Sequence, residues 1–389
     1  EDRKVHIGLF PPVEPVDHQT HQAGKMVLPI DRQGLIEQAP RPVMITGAKV
    51  HHGGGHYQRG CFLGAQLPVG LVTRFIPLPP ERRLGDPLQA LFHRLNRNSR
   101  AGSRRNIAAH YDLGNDFFGL WLDETMMYSS AMFAEPDMSL HAAQVHRLDH
   151  ICRRLDLQPT DHVVEIGTGW GGFALHAAQH YGCRVTTTTI SREQYVKARE
   201  RVVAAGLEDR VTLLQDDFRD LGGQYDKLVS IEMIEAIGAD YLPQYFAQCD
   251  RLLKSEGMAL VQAITIADQR YRKALGAVDF IQRYIFPGGM LPTNRIVCRQ
   301  AAAAGLQVEH SEMFGEDYAR TLAEWRRNFH SAWRRIRELG FDEPFRRLWE
   351  YYLCYCEGGF AERYIGDVQM LLTKPLCRRA PLLPPLEGG

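Results

Sequence analysis

Short apolar runs alternate with amphipathic stretches along the chain from about residue 140 onward. Each run has the length of a buried strand, and the stretches between the runs repeat apolar residues at helical spacing. One run begins at Val163 and leads into a glycine-rich turn, and the other predicted strands lie at 184–190, 211–214, 227–231, 258–264, 307–313 and 368–372. The predicted helices are 140–157, 173–181, one that opens at Ser191, 241–253 and 295–304. This regular alternation predicts an α/β fold with a doubly wound, Rossmann-like sheet of seven strands.

Three stretches depart from the alternation. Residues 265–295 and 316–365 interrupt it near the carboxyl ends of strands, where ligands of such sheets bind. We predict that both are helical insertions that form a lid and select the acceptor substrate. Residues 1–90 are rich in Gly, Pro and His without a sustained period. They predict a divergent, partly disordered N-terminal segment before a domain at 91–389, whose first part, 91–160, is helical.

The histidines of the N-terminal segment are a candidate metal site. His51, His52 and His56 surround a run of glycines. No Cys or acid nearby completes a ligand set, so a solvated loop explains them better and no metal is predicted.

Composition limits the function classes. The 389 residues carry a formal net charge of +0 and are 44% hydrophobic, which allows a packed core and argues against bulk nucleic-acid affinity. The eight cysteines lack paired spacing, and the close pair Cys354 and Cys356 is interpreted as buried thiols in an intracellular protein. No apolar run approaches the roughly 18 residues that span a bilayer, and no secretory signal is evident. These features predict a cytoplasmic protein.

The glycine-rich turn carries the candidate chemistry. Glycines let the backbone turn tightly and approach a ligand, and the amides at the start of the next helix face that ligand. Gly167, Gly169 and Gly172 match the spacing of a dinucleotide-binding turn. That function also needs an acid at the end of the next strand. Here the next strand ends in Ser191, and the acid, Glu165, lies inside the first strand.

The Glu-x-Gly-x-Gly-x-Gly pattern that begins at Glu165 resembles the S-adenosylmethionine (SAM) motif of class I methyltransferases. In that class the acid orients the turn and the methionine end of SAM, largely through its amino group. The resemblance implies SAM as the cofactor, and the alternative is a strand–turn–helix that binds nothing. The predicted alternation of strands and helices agrees with the class I fold.

The chain from about residue 90 to 375 resembles cyclopropane-fatty-acyl-phospholipid synthases and the related mycolic acid methyltransferases. The stretches that carry the resemblance lie at 104–118, 127–131, 165–172, 189–191, 284–289 and 314–318. This family transfers a methyl group from SAM to a cis double bond of a phospholipid acyl chain, and the resulting carbocation loses a proton to close a ring. The resemblance therefore implies a lipid C-methyltransferase whose partner is the acyl chain of a membrane phospholipid.

The resemblance also implies a bound bicarbonate as the base. Of the residues in its pocket, Glu235, Ile264 and Tyr318 match the family. Two residues depart from it, since Ser130 stands in place of a Cys and Gln262 in place of a His. A glutamine keeps hydrogen bonding but takes up no proton near neutral pH. The product is left open between a cyclopropane, a methylene or methyl branch, and an alcohol.

The residues assigned to SAM lie near the ends of the predicted strands. The resemblance and the class I pattern imply Tyr128, Ser129, Glu165, Gly167, Gly169, Gly171, Thr189, Ser191, Gln194, Asp217 and Phe218. For Phe218, core packing is the alternative to stacking on adenine, and for Glu235 the alternative is an acid that complements a helix dipole. Aromatic faces stabilise a cation by about 0.5–2 kcal/mol each, so Tyr284, Phe286 and Tyr318 are candidates for that role.

The acceptor lies in a membrane, so the protein is expected to act peripherally at its inner face. Two groups of arginines are candidates for attracting anionic lipid. They are Arg94, Arg97, Arg104 and Arg105, and then Arg326, Arg327, Arg334, Arg335 and Arg337. Solvated helix faces explain them equally well. A small-molecule methyltransferase on the same scaffold and a SAM-binding protein without catalysis are the alternative functions, and a homodimer is left open.

Overall fold

The computed structural model of the chain describes residues 98, 99, 102, 103, 106 and 113–380. Its strands are β1 His162–Ile166, β2 Arg184–Thr188, β3 Val211–Leu214, β4 Tyr225–Ile231, β5 Leu253–Ile266, β6 Gln307–Met313 and β7 Ile365–Thr373. The helices in the described part are α1 Asn115–Phe118, α2 Leu140–Arg154, α3 Gly172–Tyr181, α4 Arg192–Ala204, α5 Leu242–Leu252, α6 Asp268–Leu275, α7 Phe280–Tyr284, α8 Asn294–Ala303, α9 Gly315–Glu338 and α10 Glu343–Ala361.

The strands form one sheet in the order β3-β2-β1-β4-β5-β7-β6. The first five strands are parallel neighbours, and β7 runs antiparallel to both β5 and β6. The order reverses at β1, and the crevice outside the carboxyl ends at such a switch point is where ligands bind in these sheets. The predicted seven-stranded, Rossmann-like sheet is confirmed.

The largest boundary difference is in β5, which begins at Leu253 rather than at the predicted residue 258. Leu253 pairs with Tyr225, and the register then shifts so that Lys227 pairs with Met258. The residues that bulge between the two pairs are Lys-Ser-Glu-Gly. Because these residues are polar, the pattern of apolar runs does not reveal where the strand begins.

Two apolar layers cover the sheet, one on each face. Neighbouring residues of a strand point to opposite faces, and Val163 and Val164 of β1 accordingly enter different core clusters. On one face Phe173 of α3 packs with side chains of α2 and α4. On the other face Phe246 of α5 packs with Val297 of α8. Each helix thus buries its apolar stripe against the sheet.

A third, aromatic cluster is built from the segments that interrupt the alternation. It joins residues around α1 with α9 and α10, and it includes Phe117, Trp121, Trp325 and Trp349. The insertion predicted at 316–365 forms the antiparallel helices α9 and α10, while 265–295 contains the short helices α6 and α7. Both insertions follow the carboxyl end of a strand or lead into β7, so they lie at the ligand-binding edge of the sheet.

Several predictions fall on residues that lie outside the described part of the chain. They concern the segment 1–90, the histidines His51, His52 and His56, and the arginines Arg94, Arg97, Arg104 and Arg105. Among the helices that the structure describes, none is both long and apolar enough to cross a membrane. The prediction that the thiol of Cys354 is buried is wrong, because Cys354 faces outward from α10 and is exposed, whereas Cys356 is partly buried.

Candidate active site

The glycine turn after β1 forms an open cradle. Gly167, Gly169 and Gly171 have φ angles of 101°, 53° and 86°, which other residues rarely adopt. A Cβ atom on Gly167 would lie 3.1 Å from Cγ of Met233, whereas a Cβ atom on Gly169 would meet no atom of the described residues within 4 Å. The turn therefore leaves space at Gly169 and presents its backbone and the amino end of α3 to a ligand.

The cradle is held against the segment that leads to Tyr128. A Cβ atom on Gly172 would lie 2.8 Å from the backbone oxygen of Thr125, so only glycine allows this approach. From α4, Arg201 donates to the backbone oxygens of Thr125 and Trp170 at 3.0 and 2.8 Å. One arginine thus joins the turn, α4 and the segment before Tyr128.

Glu165 lies beneath the turn and is 2% exposed. Its carboxylate accepts a hydrogen bond of 2.6 Å from Thr187 Oγ1, which also lies 2.7 Å from Thr168 Oγ1. Burial raises the pKa of Glu165 to about 8, with the Thr187 hydrogen bond opposing the rise. SAM carries positive charge, so the open cradle and a buried acid that has no counter-ion among the described residues fit this cofactor.

Glu165→Gln is expected to stabilise the SAM-free protein at pH 9 more than at pH 5. The pKa of Glu165 is about 8 in the folded chain and 4.5 as its ordinary value, so ionisation above pH 4.5 costs folding stability until about pH 8. Glutamine does not ionise, so the variant does not lose folding stability in this pH range. The difference in melting temperature between variant and wild type should therefore grow by roughly 5 °C or more between pH 5 and pH 9.

Scanning fluorimetry at both pH values measures this difference. With saturating SAM the wild type should gain more thermal stability than the variant, because the cofactor's positive charge pairs with the ionised acid. A difference in melting temperature that does not change with pH would contradict the burial of an ionisable Glu165 without a counter-ion.

The residues predicted to contact the ribose form a small buried cluster after β2. Thr189 Oγ1 donates to Gln194 Oε1 at 3.0 Å and accepts from the amide of Ser191 at 3.1 Å. Ser191 caps α4 by accepting from the amide of Gln194. The amides of Gly167 and Thr168 both donate to the backbone oxygen of Thr188, which joins this cluster to the glycine turn.

Asp217 and Phe218 lie after β3 and already have partners within the protein. Both carboxylate oxygens of Asp217 accept from the Arg219 side chain, at 2.7 and 2.6 Å. The Phe218 ring meets the Tyr245 ring edge-on at 5.6 Å. A role in holding adenine remains a prediction for both residues.

Tyr128 and Ser129 lie between the cradle and the aromatic cluster. The Tyr128 hydroxyl is 2.8 Å from that of Tyr352, and its ring lies 5.3 Å from Trp325. Ser129 Oγ accepts from Arg147 Nη2 at 3.0 Å. These two neighbouring residues thus connect the glycine turn with the helices α2, α9 and α10.

The centre of the site is a carboxylate that the sequence analysis did not single out. Glu232 follows the last residue of β4 and has a φ angle of 48°. Its carboxylate accepts from the Ser130 amide at 2.9 Å, from Gln262 Nε2 at 2.7 Å and from the Tyr318 hydroxyl at 2.6 Å. Three of the residues predicted for a bicarbonate pocket are therefore close together, and all three donate hydrogen bonds to Glu232.

A buried network surrounds this carboxylate. Arg147, fully buried on α2, donates to Gln262 Oε1 at 3.3 Å, and Gln262 Nε2 donates to Asp367 at 3.0 Å. Burial raises the pKa of Asp367 well above its ordinary value, and the charge of Glu232 adds to the rise. Burial lowers the pKa of Arg147, while Glu232 and Asp367 oppose that shift. The network therefore combines one guanidinium with two carboxyl groups, of which Asp367 holds its proton more tightly.

Glu235 lies one turn beyond Glu232. One of its carboxylate oxygens accepts from the Ile264 amide, and the other is buried and has no hydrogen-bond partner among the described residues. Burial raises its pKa to about 8, and the charge of Glu232 contributes. The backbone oxygen of Glu235 accepts from the amide of Met290, which ties the first insertion to the site.

The structure does not bring Tyr284 to these carboxylates. Its ring is 38% exposed, and its described contacts are with Phe280 and Arg283. Helix α7 ends at Tyr284, and the chain then turns so that Phe286 lies 6.4 Å from Tyr128. Of the aromatic candidates, Tyr318 is within the network, Phe286 borders Tyr128, and Tyr284 stands apart.

The sheet order, the acid in β1 and the glycine turn after it define a class I SAM-dependent methyltransferase. The sequence profile of the mycolic acid cyclopropane synthetase family matches residues 98–370, and the chain belongs to this family. The resemblance seen in the sequence is thereby confirmed.

Individual relatives agree with this membership. The chain is 43% identical over 285 residues to the tuberculostearic acid methyltransferase UfaA1 of Mycobacterium tuberculosis, covering 71% of this chain and 66% of that protein. It is 41% identical over 265 residues to the cyclopropane-fatty-acyl-phospholipid synthase of Escherichia coli K12, covering 68% and 66%. The chain thus spans about two thirds of the length of these curated relatives.

A solved structure supports the fold and the cofactor. The crystal structure of the mycolic acid cyclopropane synthase CmaA1 complexed with SAH and CTAB superposes with a TM-score of 0.66 at 29% identity. The match covers 70% of this chain and 98% of that chain. SAH is the demethylated form of SAM, which agrees with the fit of SAM to the cradle.

Proposed function

We propose that this protein transfers the methyl group of SAM to the double bond of an unsaturated acyl chain in a phospholipid. The observation that carries the proposal is the pair of glutamates Glu232 and Glu235 beside the SAM cradle, with aromatic rings next to them. The names of the two relatives, a tuberculostearic acid methyltransferase and a cyclopropane-fatty-acyl-phospholipid synthase, support a lipid acceptor. So does the co-crystallised amphiphile CTAB in the CmaA1 structure.

Positioning is the first task of the site, because an alkene is a weak nucleophile. SAM, when bound, supplies an electrophilic methyl group. We infer that Tyr128 and Ser129 hold its methionine end, while Glu165 provides counter-charge beneath the turn. The open position at Gly169 leaves the backbone free to approach it. The residues after β2 and β3 are proposed to hold the ribose and adenine.

Stabilising positive charge without admitting water is the second task. Tyr318 stacks on Phe360 at 4.3 Å between ring centroids and lies 6.0 Å from Trp325. Such aromatic faces stabilise a cation by about 0.5–2 kcal/mol each when they are desolvated. Glu232 and Glu235, both partly accessible residues, add carboxylate charge at the same place. The site therefore suits a reaction that develops positive charge and disfavours an anionic acceptor group.

The arginines of α9 give only partial support for contact with anionic lipid. Arg326 pairs with Glu357, Arg327 with Glu324 and Arg334 with Glu338, so each of these charges is compensated. Arg335 and Arg337 are exposed and have no ion pair among the described residues. We propose that the protein works peripherally at the inner membrane face and that this end of α9 is one point of approach.

A vesicle assay tests the proposed function. Vesicles of palmitoyl-oleoyl-phosphatidylglycerol are incubated with the protein and SAM, and the acyl chains are then analysed by mass spectrometry and gas chromatography. We expect the oleoyl chain to gain the mass of one CH2 group, and the retention time identifies a ring or a branch. Vesicles of the saturated dipalmitoyl lipid are the matched control and should not react. A protein that binds SAM but modifies no unsaturated lipid would contradict the proposal and favour the small-molecule or non-catalytic alternatives.

A further inference from the structure

We propose that Glu232 is the base of this enzyme, a carboxylate of the chain itself that takes the place of a bound bicarbonate. The inference rests on the proposed function, since it names the group that accepts the proton from the methylated acyl chain. It arises from the geometry around Glu232 and not from the residue types that the family resemblance implied.

The first observation is that the donors of the pocket are already engaged. The Ser130 amide, Gln262 Nε2 and the Tyr318 hydroxyl all donate to Glu232. The Ile264 amide donates to Glu235. Converging donors of this kind form an anion-binding site. Here the anion they bind is a side chain, so the predicted residues do not fit a separate bicarbonate.

The second observation is the charge around the pocket. Arg147 supplies positive charge to this network. Glu232 and Asp367 interact electrostatically with Arg147, and Glu235 interacts with both of these acids. Asp123 also acts on the charge of Arg147. The other described polar side chains that hydrogen-bond within the network are neutral, namely Ser129, Gln144, Gln262, Gln369 and Tyr318. A bicarbonate ion would add a further negative charge beside Glu232 without bringing a new cation, and like charges at short distance repel.

The third observation is backbone strain at Glu232. Its φ angle of 48° lies in the left-handed region, which residues other than glycine seldom adopt. Strain of this kind persists where the surrounding structure holds it and is concentrated at functional sites. Here it aims the carboxylate at Ser130 and Tyr318. A glycine at this position would fit the same backbone without strain and would leave the three donors free.

The fourth observation is access. Ser130, Gln262 and Asp367 are fully buried, whereas Glu232 is partly accessible. Glu235 is partly accessible as well, but its oxygen without a described partner is buried, so we place Glu232 rather than Glu235 against the acyl chain. Burial also raises the pKa of Glu232, which makes it a stronger base than a free carboxylate once it is ionised.

The proton step is balanced within this site. Methylation of one alkene carbon leaves the other alkene carbon positive, and a C–H bond then breaks, either in the added methyl group or at a carbon bonded to the positive carbon. The proton goes to a carboxylate oxygen of Glu232, and the electron pair of the broken bond remains with the acyl chain. If the hydrogen comes from the added methyl group, that pair closes a cyclopropane. If it comes from a neighbouring carbon, the pair forms a double bond.

Two substitutions separate a base from a merely structural residue. Glu232→Gln keeps the size of the side chain and an acceptor oxygen but takes up no proton, so turnover should fall by roughly 10²–10⁴-fold. Bicarbonate should not restore it, because the glutamine still fills the pocket. Glu232→Gly empties the pocket, so without bicarbonate its turnover should be as low as that of Glu232→Gln. Added bicarbonate or formate can enter the empty pocket and should raise its turnover at least about tenfold.

Wild-type turnover in carbonate-free buffer should equal turnover with added bicarbonate. Asp156→Gly is the matched control for backbone relief, because Asp156 has a φ angle of 51° and lies in the turn after α2, away from the network. Its activity should match that of the wild type. Melting curves and SAM binding show whether each variant is folded.

Direct binding gives a readout that does not depend on catalysis. ¹³C-labelled bicarbonate is titrated into SAH-loaded protein and followed by NMR line broadening. We expect no saturable binding to wild type and saturable binding to Glu232→Gly. Stoichiometric binding to wild type, a requirement of wild type for bicarbonate, or near-normal turnover of Glu232→Gln would each overturn the proposal. If wild type methylates no unsaturated lipid, the proposed function fails, while the binding titration still decides whether the pocket accepts bicarbonate.

Discussion

Gly169→Val is expected to weaken SAM binding by roughly a hundredfold or more, about 2.7 kcal/mol, while the protein stays folded. Within the part of the chain that the structure describes, no atom lies within 4 Å of the Cβ position of Gly169, so a valine side chain would not collide with these residues. It would instead occupy the space in which the cradle accepts the cofactor. Calorimetric titration with SAM or SAH measures the loss, and circular dichroism confirms that the variant is folded.

Gly206→Val is the matched control for this experiment. Gly206 has a φ angle of 64°, and a Cβ atom there also meets no described atom within 4 Å. It follows α4 and lies outside the cradle, so the substitution imposes the same backbone strain without filling the site. SAM affinity should be unchanged in this control. Equal losses in both variants would point to strain as the cause, and a folded Gly169→Val protein with normal affinity would refute the cradle.

Glu235→Gln is expected to lower kcat by roughly 10²–10³-fold and to leave the Kd for SAM nearly unchanged. The amide oxygen of glutamine can still accept from the Ile264 amide, so the local fold is preserved. What is lost is the negative charge on the oxygen that has no partner among the described residues. An interaction that acts on charge developing in the transition state appears in kcat rather than in cofactor affinity.

The pH profile provides a second test of Glu235. Its pKa is raised to about 8, so the ionised form gains population as pH rises through that value. Wild-type kcat should therefore rise between pH 6.5 and pH 9, and the variant should lose that part of the rise. Glu256→Gln, the same change on the exposed bulge within β5, should match wild type. A variant with normal kcat and weakened SAM binding would place Glu235 in the cofactor site instead.

The fold was predictable because its signals are local. Apolar runs of strand length and amphipathic stretches follow directly from which faces are buried, and β3 and β6 begin and end where the pattern predicted. The start of β5 was not predictable, since pairing with β4 rather than apolar character holds its first residue in the sheet. Tertiary pairing of this kind leaves no trace in periodicity.

The candidate site was predictable only in part. Ser130, Gln262 and Tyr318 lie far apart in the chain, and the family resemblance rather than any spacing grouped them. Arg147 did leave a signal, because it repeats with Ala143 and Ile151 at intervals of four on the buried face of α2. A charged residue on an apolar face indicates a buried partner but does not identify it.

Other features of the site had no usable signal. Glu232 ends a predicted strand, and its role depends on a φ angle that sequence does not reveal. Asp367 is a single acid at the start of an apolar strand. Tyr284 and Phe286 are two residues apart. The residue at which α7 ends determines which of the two rings points toward the site. Such details are set by packing rather than by composition.

The position of β7 sets the order in which synthesis supplies the two parts of the candidate site. This strand lies between β5 and β6, and it brings Asp367 and Gln369 to the proton-handling network. All the residues proposed to hold SAM precede it in the chain. A growing polypeptide on the ribosome therefore contains the whole cofactor cradle well before it can complete the pocket that receives the proton.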